Sequence, residues 1–371
     1  MDLKRIIIFS SVALLFSWVV YFMINLLDIF VVTNKHHHET CEVLDLPLAP
    51  EDIEIYGSVI IAALDDRIPH MFRHQDMKSA KQGLLVWIDP KTKKWAEIPI
   101  SNFPSGLPFH PHGTFLYKNS TLYMVNHALG QYGERIEVFS LVEDGDRNIK
   151  ATYLRSAVFP DNWHGIINDV VVYKEGHFYA TQWMPIPDTP EGRDHSFLTS
   201  FIRTAKMFFY KNSYVYSCFE KDGKAECTPQ HIAYINNGAN LIGNQLLVAD
   251  TYPSVVNIYD IQSDMSLKYV ESVKFPHHLD NISIEPNGSA LVVGITRMVE
   301  FVILTENLKA GKPKSVMGSG VSRMSKVNGK WEVKELLMQD TLFASAAIIL
   351  DDTILIGSII DNAALVCKVK S

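Results

Sequence analysis

The chain has no basic cluster. Its 34 Lys and Arg are outnumbered by 41 Asp and Glu, giving a net charge of −7. A nucleic-acid partner held through phosphate contacts is therefore not expected. Cysteine is scarce: four residues in 371 are too few for a disulfide-scaffolded miniprotein, and they lack metal-finger spacing. Glycine (20) and proline (17) are too few for a collagenous or low-complexity chain. With 47% hydrophobic and 20% charged residues, the composition is not that of a disordered protein. Beyond the first forty residues a long helical period is also missing, with one exception. What remains is a large, ordered, mildly acidic protein with enough chain for one big core or two domains.

Lys4-Arg5 precede 22 uncharged residues, Ile6 to Leu27, rich in Ile, Val, Leu and Phe. At ~1.5 Å per residue this stretch is ~33 Å long, enough to cross a hydrocarbon core of ~30 Å. A removed signal peptide is the alternative, but it has an apolar stretch of ~7–15 residues and small residues at its cut site. The sequence therefore predicts a cytosolic tail (1–5), an uncleaved transmembrane signal anchor (6–32), a stalk (33–40) and a body (41–371). The positive-inside rule places that body in the ER lumen or outside the cell, so the first expected partner is membrane lipid. His36-His37-His38 reads as solvated stalk rather than as a metal site. Asn119-Ser-Thr and Asn287-Gly-Ser are glycosylation sequons in expected surface turns.

From Cys41 onward one pattern recurs: a polar turn, a short alternating strand, a tight turn and a second strand. Six copies begin at Glu51, His112, Asn168, Asn237, Asp280 and Phe343, between 43 and 69 residues apart. A hairpin plus two further strands fits that spacing, so the expected fold is all-β, a six-bladed β-propeller of four-stranded blades. One hairpin cannot bury its own faces, and radial stacking supplies the missing contacts. Two β-sandwiches are the alternative. Cys41 lies just before the first unit and Cys367 just after the last. In a propeller these ends meet, and a bond between them would close the ring, for which loop entropy gives at most about 5–6 kcal/mol. Cys218 and Cys227 flank Asp222-Gly223, a type I′ turn signal. That turn pairs 221 with 224, 220 with 225, 219 with 226 and 218 with 227, which makes a second disulfide or two free thiols the options there.

The units begin with Glu51, Asn168, Asn237 and Asp280, followed by Asp52, Asp169 and Asn281. Equivalent positions in successive blades point toward one axis. All of these are hard oxygen donors, the preference of calcium more than of magnesium. The plainer reading is that Asn and Asp start turns, and the repetition in four units favours metal. His112 and His127 bracket the second hairpin, whose antiparallel strands bring them together about the turn 118–120. Two imidazoles beside a cation-bound water can serve as base and relay in a hydrolysis.

In this order and spacing Glu51-Asp52-Ile-Glu-Ile, Phe109-His-Pro-His112-Gly, Val125-Asn-His127, Asn168-Asp169-Val, Asn237-Gly-Ala-Asn, Asp280-Asn281-Ile-Ser and Ala364-Leu-Val-Cys367 resemble the paraoxonases, calcium-dependent lactonases and arylesterases with six-bladed propellers. The resemblance implies a catalytic calcium on Glu51, Asn168, Asn237, Asp280 and Asn281. It implies a structural calcium on Asp52, Asp169 and the carbonyl of Thr114. It also implies a His112–His127 dyad and a Cys41–Cys367 disulfide. Asn281-Ile-Ser is a sequon too, but a ligand on the channel floor would not be glycosylated. Two departures stand out. Val293-Gly294 is followed by Ile295-Thr296-Arg297 where the family commonly has Cys-His, and Thr181-Gln182-Trp183 replaces Thr-Asn-Asp. A second His/Asp pair near the site is thus expected to be absent.

Residues 185–212 form the helical exception. Phe197, Leu198, Phe201, Ile202, Ala205, Phe208 and Phe209 recur at three- and four-residue spacing. The resemblance implies a lid facing lipid, and a helix packed on the rim is the bland alternative. The expected function is a membrane-anchored, lumen-facing hydrolase of lactones and aryl esters. The alternative comes from membrane-anchored paraoxonase-like proteins of nematodes, which assist degenerin-type sodium channels as accessory or chaperone proteins. In that case the calcium sites would be structural and the partner a channel.

Overall fold

The strands Val59–Asp65, Ala290–Ile295 and Thr353–Ser358 are buried along their whole length. A strand covered on both faces needs apolar residues at successive positions, not at alternate ones. Val59, Ile61 and Ala63 pack into one apolar cluster with Leu122, Met124 and Phe139. Ile60, Ala62 and Leu64, which alternate with them, pack into another with Ala346, Ile348 and Leu355. Each sheet is therefore sandwiched between its neighbours, the core running around the molecule in layers between sheets.

The computed structural model describes residues 3–72, 80–128, 130–145, 147–193 and 196–368. It has an all-β, propeller-like arrangement. One sheet holds β2 (Ala49–Tyr56), β3 (Val59–Asp65), β4 (Leu84–Asp89) and β5 (Lys94–Glu97), after β1 (Cys41–Asp45). Then come β6 (Ile100–Ser101), β7 (Pro111–Tyr117), β8 (Thr121–His127), β9 (Glu134–Glu143), β10 (Ile149–Val158), β11 (Ile167–Lys174), β12 (His177–Gln182), β13 (Ser213–Lys221) and β14 (Lys224–Ala233), all in one nine-stranded sheet. Two further four-stranded meanders are β15 (Asn236–Ile242), β16 (Gln245–Asp250), β17 (Val255–Ile261) and β18 (Leu267–Lys274), and β19 (His278–Ile284), β20 (Ala290–Ile295), β21 (Ser319–Val327) and β22 (Lys330–Gln339). The last sheet joins β23 (Ala344–Leu350), β24 (Thr353–Ser358) and β25 (Ala363–Lys368) to β1.

Six separate blades were expected; four separate four-stranded sheets are found, and the chain from Ile100 to Ala233 is continuous. The joint is one parallel pairing, Val158 with Lys224, where Val158 N–H donates to Gly223 O at 2.9 Å. Each half of the large sheet ends in an open edge strand, and unpaired edge groups take a partner within reach. The leading strands β2, β7, β11, β15, β19 and β23 neighbour one another in that order, and β23 returns to β2.

Closure pairs Cys41 with Cys367 in register, and the two form a disulfide with Cα atoms 3.9 Å apart. The Asp222-Gly223 turn gives all four pairs its chemistry predicts, with φ of 51° and 75° at its two residues. Cys218 and Cys227 are bonded there.

Helix α1 (Leu3–Leu26) contains, at Phe9–Leu26, a window with mean hydropathy 1.8. Among the described residues it is the one helix long and apolar enough to cross a membrane by length and composition. Helix α2 (Phe197–Phe209), capped by Ser196, falls inside the expected 185–212 segment. Its apolar face is turned outward, with Phe197 86%, Leu198 65% and Phe201 63% exposed, while Arg203 is buried against Asp188 at 3.0 Å. Helix α3 (Met298–Lys309) follows β20. Residues 33–40, read as a stalk, lie against β22: Lys35 pairs with Asp340 at 2.5 Å and the His36 backbone with that of Met338. The sequon residues Asn119 and Asn287 are exposed in turns, whereas Asn281 is 2% exposed.

Candidate metal and dyad centre

All six leading strands carry a β-bulge at the same place. Pairing slips between Pro50 and Asp52, Pro111 and Thr114, Ile167 and Val170, Asn236 and Ala239, Leu279 and Ile282, and Ala344 and Ala347. Two residues then face one across each ladder, which re-aims side chains. The pairs so displaced are Glu51-Asp52, His112-Gly113, Asn168-Asp169, Asn237-Gly238, Asp280-Asn281 and Ser345-Ala346. These hold every metal-site and dyad residue expected from sequence, apart from Thr114 and His127. The two glycines answer to close approach. A Cβ on Gly113 would run into Asp169 Oδ1, and one on Gly238 would meet Asn281 Oδ1 at 2.5 Å.

Three first residues of the pairs and one second residue, Asn281, gather buried oxygens without partners. Glu51 Oε2, Asn168 Oδ1, Asn237 Oδ1 and Asn281 Oδ1 accept no hydrogen bond. Asn281 Nδ2 donates to Glu51 Oε1 at 3.0 Å and Asn237 Nδ2 to Thr251 Oγ1 at 3.2 Å, which turns the amide oxygens away from those acceptors. Orphaned buried acceptors cost about 1–3 kcal/mol each unless something completes them. Burial raises the Asp280 carboxyl well above its usual range, and the negative charges of Glu51 and Asp52 raise it further. Among the described residues no three of His, Cys, Asp or Glu gather in a metal-holding group. The donor set is instead two carboxylates and three amide oxygens, the chemistry of a hard divalent cation.

The second residues differ. Asp52 Oδ2 accepts from Thr114 N–H at 2.6 Å and from its hydroxyl at 3.0 Å, and Oδ1 from Ile53 N–H at 2.9 Å. Asp169 accepts from Val170 N–H at 2.7 Å and Ala239 N–H at 2.8 Å. Burial and the Glu51 charge push Asp52 up to about 7, and burial with the Asp52 charge raises Asp169. Thr114 meets this group through its donors.

His112 Nδ1 lies 2.6 Å from His127 Nε2, and His127 Nδ1 lies 3.0 Å from both carboxylate oxygens of Glu134. Glu134 also accepts from Gly165 and Ile167 N–H, at 2.9 Å each. Burial, the Arg67 guanidinium and His127 hold the His112 imidazole well below the usual histidine range. Its Nε2 has no hydrogen-bond partner and lies 3.3 Å from Glu51 Oε1. Glu134 and Arg67 were not found from sequence. Glu134 pairs with His127 across the β8–β9 ladder, a signal readable once that hairpin is placed. Arg67, 2% exposed, donates to Pro111 O at 2.6 Å and lies 3.9 Å from Glu51 Oε2. It sits at the start of the helical turn that follows β3, in a segment with no motif.

Above the dyad opens a cavity of about 90 Å³, reached by His112, Asn168, Asn237 and Asp280 and walled by apolar side chains such as Met207, Phe208, Phe301 and Phe343. Helix α2 thus lines the cavity with Met207 and Phe208 while its outer face stays uncovered. The second His/Asp pair, expected to be absent, has a counterpart built from other residues: His278 in the cavity wall lies 2.6 Å from Asp28.

An all-β ring of sheets with an oxygen-lined centre and an imidazole relay is the setting in which the comparisons with known proteins fall. The arylesterase family profile matches residues 51–369, and the chain belongs to that family. It is similar to serum paraoxonase/arylesterase 2 of Canis lupus familiaris, 24% identical over 58% of this chain and 57% of that one. The human form is 24% identical over 58% and 57%. Human serum paraoxonase/arylesterase 1 is 23% identical over 50% and 48%. The chain thus spans about half the length of the curated relatives it matches.

Proposed function

We propose that the protein is a calcium-dependent hydrolase of aryl esters and lactones, a six-bladed propeller in which each half of the nine-stranded sheet serves as one blade. It is held to a membrane by α1, with its body in the lumen or outside and glycans on Asn119 and Asn287. The observation that carries the reading is the set of orphaned oxygens on Glu51, Asn168, Asn237 and Asn281 directly beside the His112–His127–Glu134 relay.

Glu51, Asn168, Asn237, Asp280 and Asn281 would hold one calcium ion, and Asp52, Asp169 and the Thr114 carbonyl a second. When bound, the first ion polarises an ester carbonyl and stabilises developing negative charge. Neutral His112, its Nδ1–H directed at His127 Nε2, presents the Nε2 lone pair to the cavity and takes a proton from the attacking water. The Nδ1 proton passes to His127, whose own Nδ1–H is held by Glu134, and that carboxylate stabilises the imidazolium. The apolar walls exclude competing water and suit an aryl or alkyl group.

The test uses the full chain in detergent with phenyl acetate and a lactone panel, first with calcium, then with chelator. Turnover should vanish with chelator, return with calcium and fall by about 10²–10⁴-fold in a His112→Gln/His127→Gln double variant. A folded, calcium-loaded protein without turnover on any of these substrates sinks the hydrolase reading and favours the accessory role beside a membrane channel, which the double variant should leave intact.

A further inference from the structure

His278 begins β19, two residues before Asp280, and lies in the cavity wall with His112, Asn168 and Asn237. Both of its ring nitrogens are engaged. Nε2 is 2.6 Å from Asp28 Oδ2, a residue 250 positions earlier, and Nδ1 is 3.1 Å from Ser254 Oγ. Nε2 faces the carboxylate while Nδ1 faces both Ser254 Oγ and the Thr251 carbonyl, the latter at 3.2 Å, which fixes the ring from both sides.

Asp28 is the first charged residue after the apolar helix and holds a left-handed backbone, φ 52°. Its Oδ2 also accepts from Met298 N–H at 3.1 Å, at the start of α3. The residue in the N-cap position of α3, Arg297, makes no side-chain cap hydrogen bond. The orphan donors of that first turn are met from the end of α1 instead: Asp28 takes Met298 N–H, and Leu27 O takes Val299 N–H at 2.9 Å. Arg297 Nη2 completes the clasp on Ile29 O at 3.2 Å. Met298 and Phe301 of α3 line the same cavity as His278.

We propose that Asp28 is a positioning residue of the cavity: it locks the His278 ring and the first turn of α3 into one wall, and so makes the end of the apolar helix part of the ligand site. This rests on the reading above that the cavity takes the ester or lactone. A chain whose membrane helix were merely a tether would have no reason to place a carboxylate on a cavity imidazole.

The experiment uses the full chain in detergent with two probes. One is the ester 4-nitrophenyl decanoate; the other is its amide counterpart 4-nitrodecananilide, bound without rapid cleavage and followed by tryptophan quenching, since Trp183 lines the cavity. Asp28→Asn should weaken anilide binding about tenfold and raise KM for the ester by more than it lowers kcat. Asp28→Glu should recover most of the binding. His278→Gln should weaken binding similarly, and the Asp28→Asn/His278→Gln double variant should be no worse than Asp28→Asn alone, because the His278 contact is already broken there. Calcium affinity and melting temperature, measured on each variant, separate positioning from folding.

Additive losses in the double variant, binding by Asp28→Asn equal to wild type, or losses that track unfolding in both Asn and Glu variants each overturn the proposal. A wild-type chain that binds the anilide but cleaves no ester refutes the hydrolase reading alone, and the role of Asp28 is then decided on binding.

Discussion

The six bulges build two adjacent rings on the axis, and the rings are finished in opposite ways. The first is Glu51, His112, Asn168, Asn237, Asp280 and Ser345; the second is Asp52, Gly113, Asp169, Gly238, Asn281 and Ala346. Carboxylates of the second ring are satisfied by backbone N–H groups of neighbouring leading strands, Thr114 for Asp52 and Ala239 for Asp169. Oxygens of the first ring stay open on Glu51, Asn168 and Asn237, and Asn281 reaches across from the second to join them. One ring ties the sheets together; the other keeps buried acceptors that no protein donor reaches. The same local device, repeated with different side chains, yields a fastener and an open set of acceptors.

That contrast can be broken experimentally. Asp169→Ala should cost about 3–5 kcal/mol of folding stability in the metal-free protein, because it strands the Val170 and Ala239 donors; chemical denaturation in chelator measures it. If Asp169→Ala folds as well as wild type, the second ring is no fastener. Asp280→Ala should leave the metal-free fold in place and lower calcium affinity by about a hundredfold, read by titration calorimetry. Loss of the metal-free fold in that variant would erase the distinction between the rings. Gly238→Ala places a methyl 2.5 Å from the Asn281 backbone and Oδ1, and should destabilise by about 1–3 kcal/mol while weakening calcium binding through Asn281.

The smallest effect is in pH. Asp52, pushed up to about 7 from its ordinary 3.8, binds its proton more tightly in the metal-free fold than when unfolded. Its favourable contribution is therefore complete below about pH 4 and lost as pH rises through about 7. The melting temperature of chelated protein should fall between about pH 4 and 7, and Asp52→Asn should lessen that fall. Added calcium should raise the melting temperature more at pH 8 than at pH 6.

Much of the centre was legible because it depends on local pattern. A bulge at one place in each leading strand demands the same kind of residue at the same place in each repeat, so Asn168-Asp169, Asn237-Gly238 and Asp280-Asn281 announce themselves. Asp222-Gly223 fixed a register because a two-residue turn with both φ positive permits no other. What was illegible depends on approach between distant segments. The Val158–Lys224 joint arises from two edges meeting, with nothing in either strand to mark it. Arg67 acquires its meaning only when a motif-free helical turn folds over Glu51. The Asp28–His278 contact joins residues that no spacing connects, so the sequence suggested an absence where the structure has a pair.

The seam between β1 and β25 has a mechanical consequence. The segment leaving α1 rests on β22 through Lys35 and His36 and then enters the ring at Cys41, which is bonded to Cys367. Tension applied through the helix therefore cannot peel β1 from β25 one hydrogen bond at a time. It arrives at a covalent crosslink that grips the first and last strands together, and the pull spreads to the closing sheet as shear. A reductant would turn the same seam into a zipper, with resistance to force lost well before the inner strands let go.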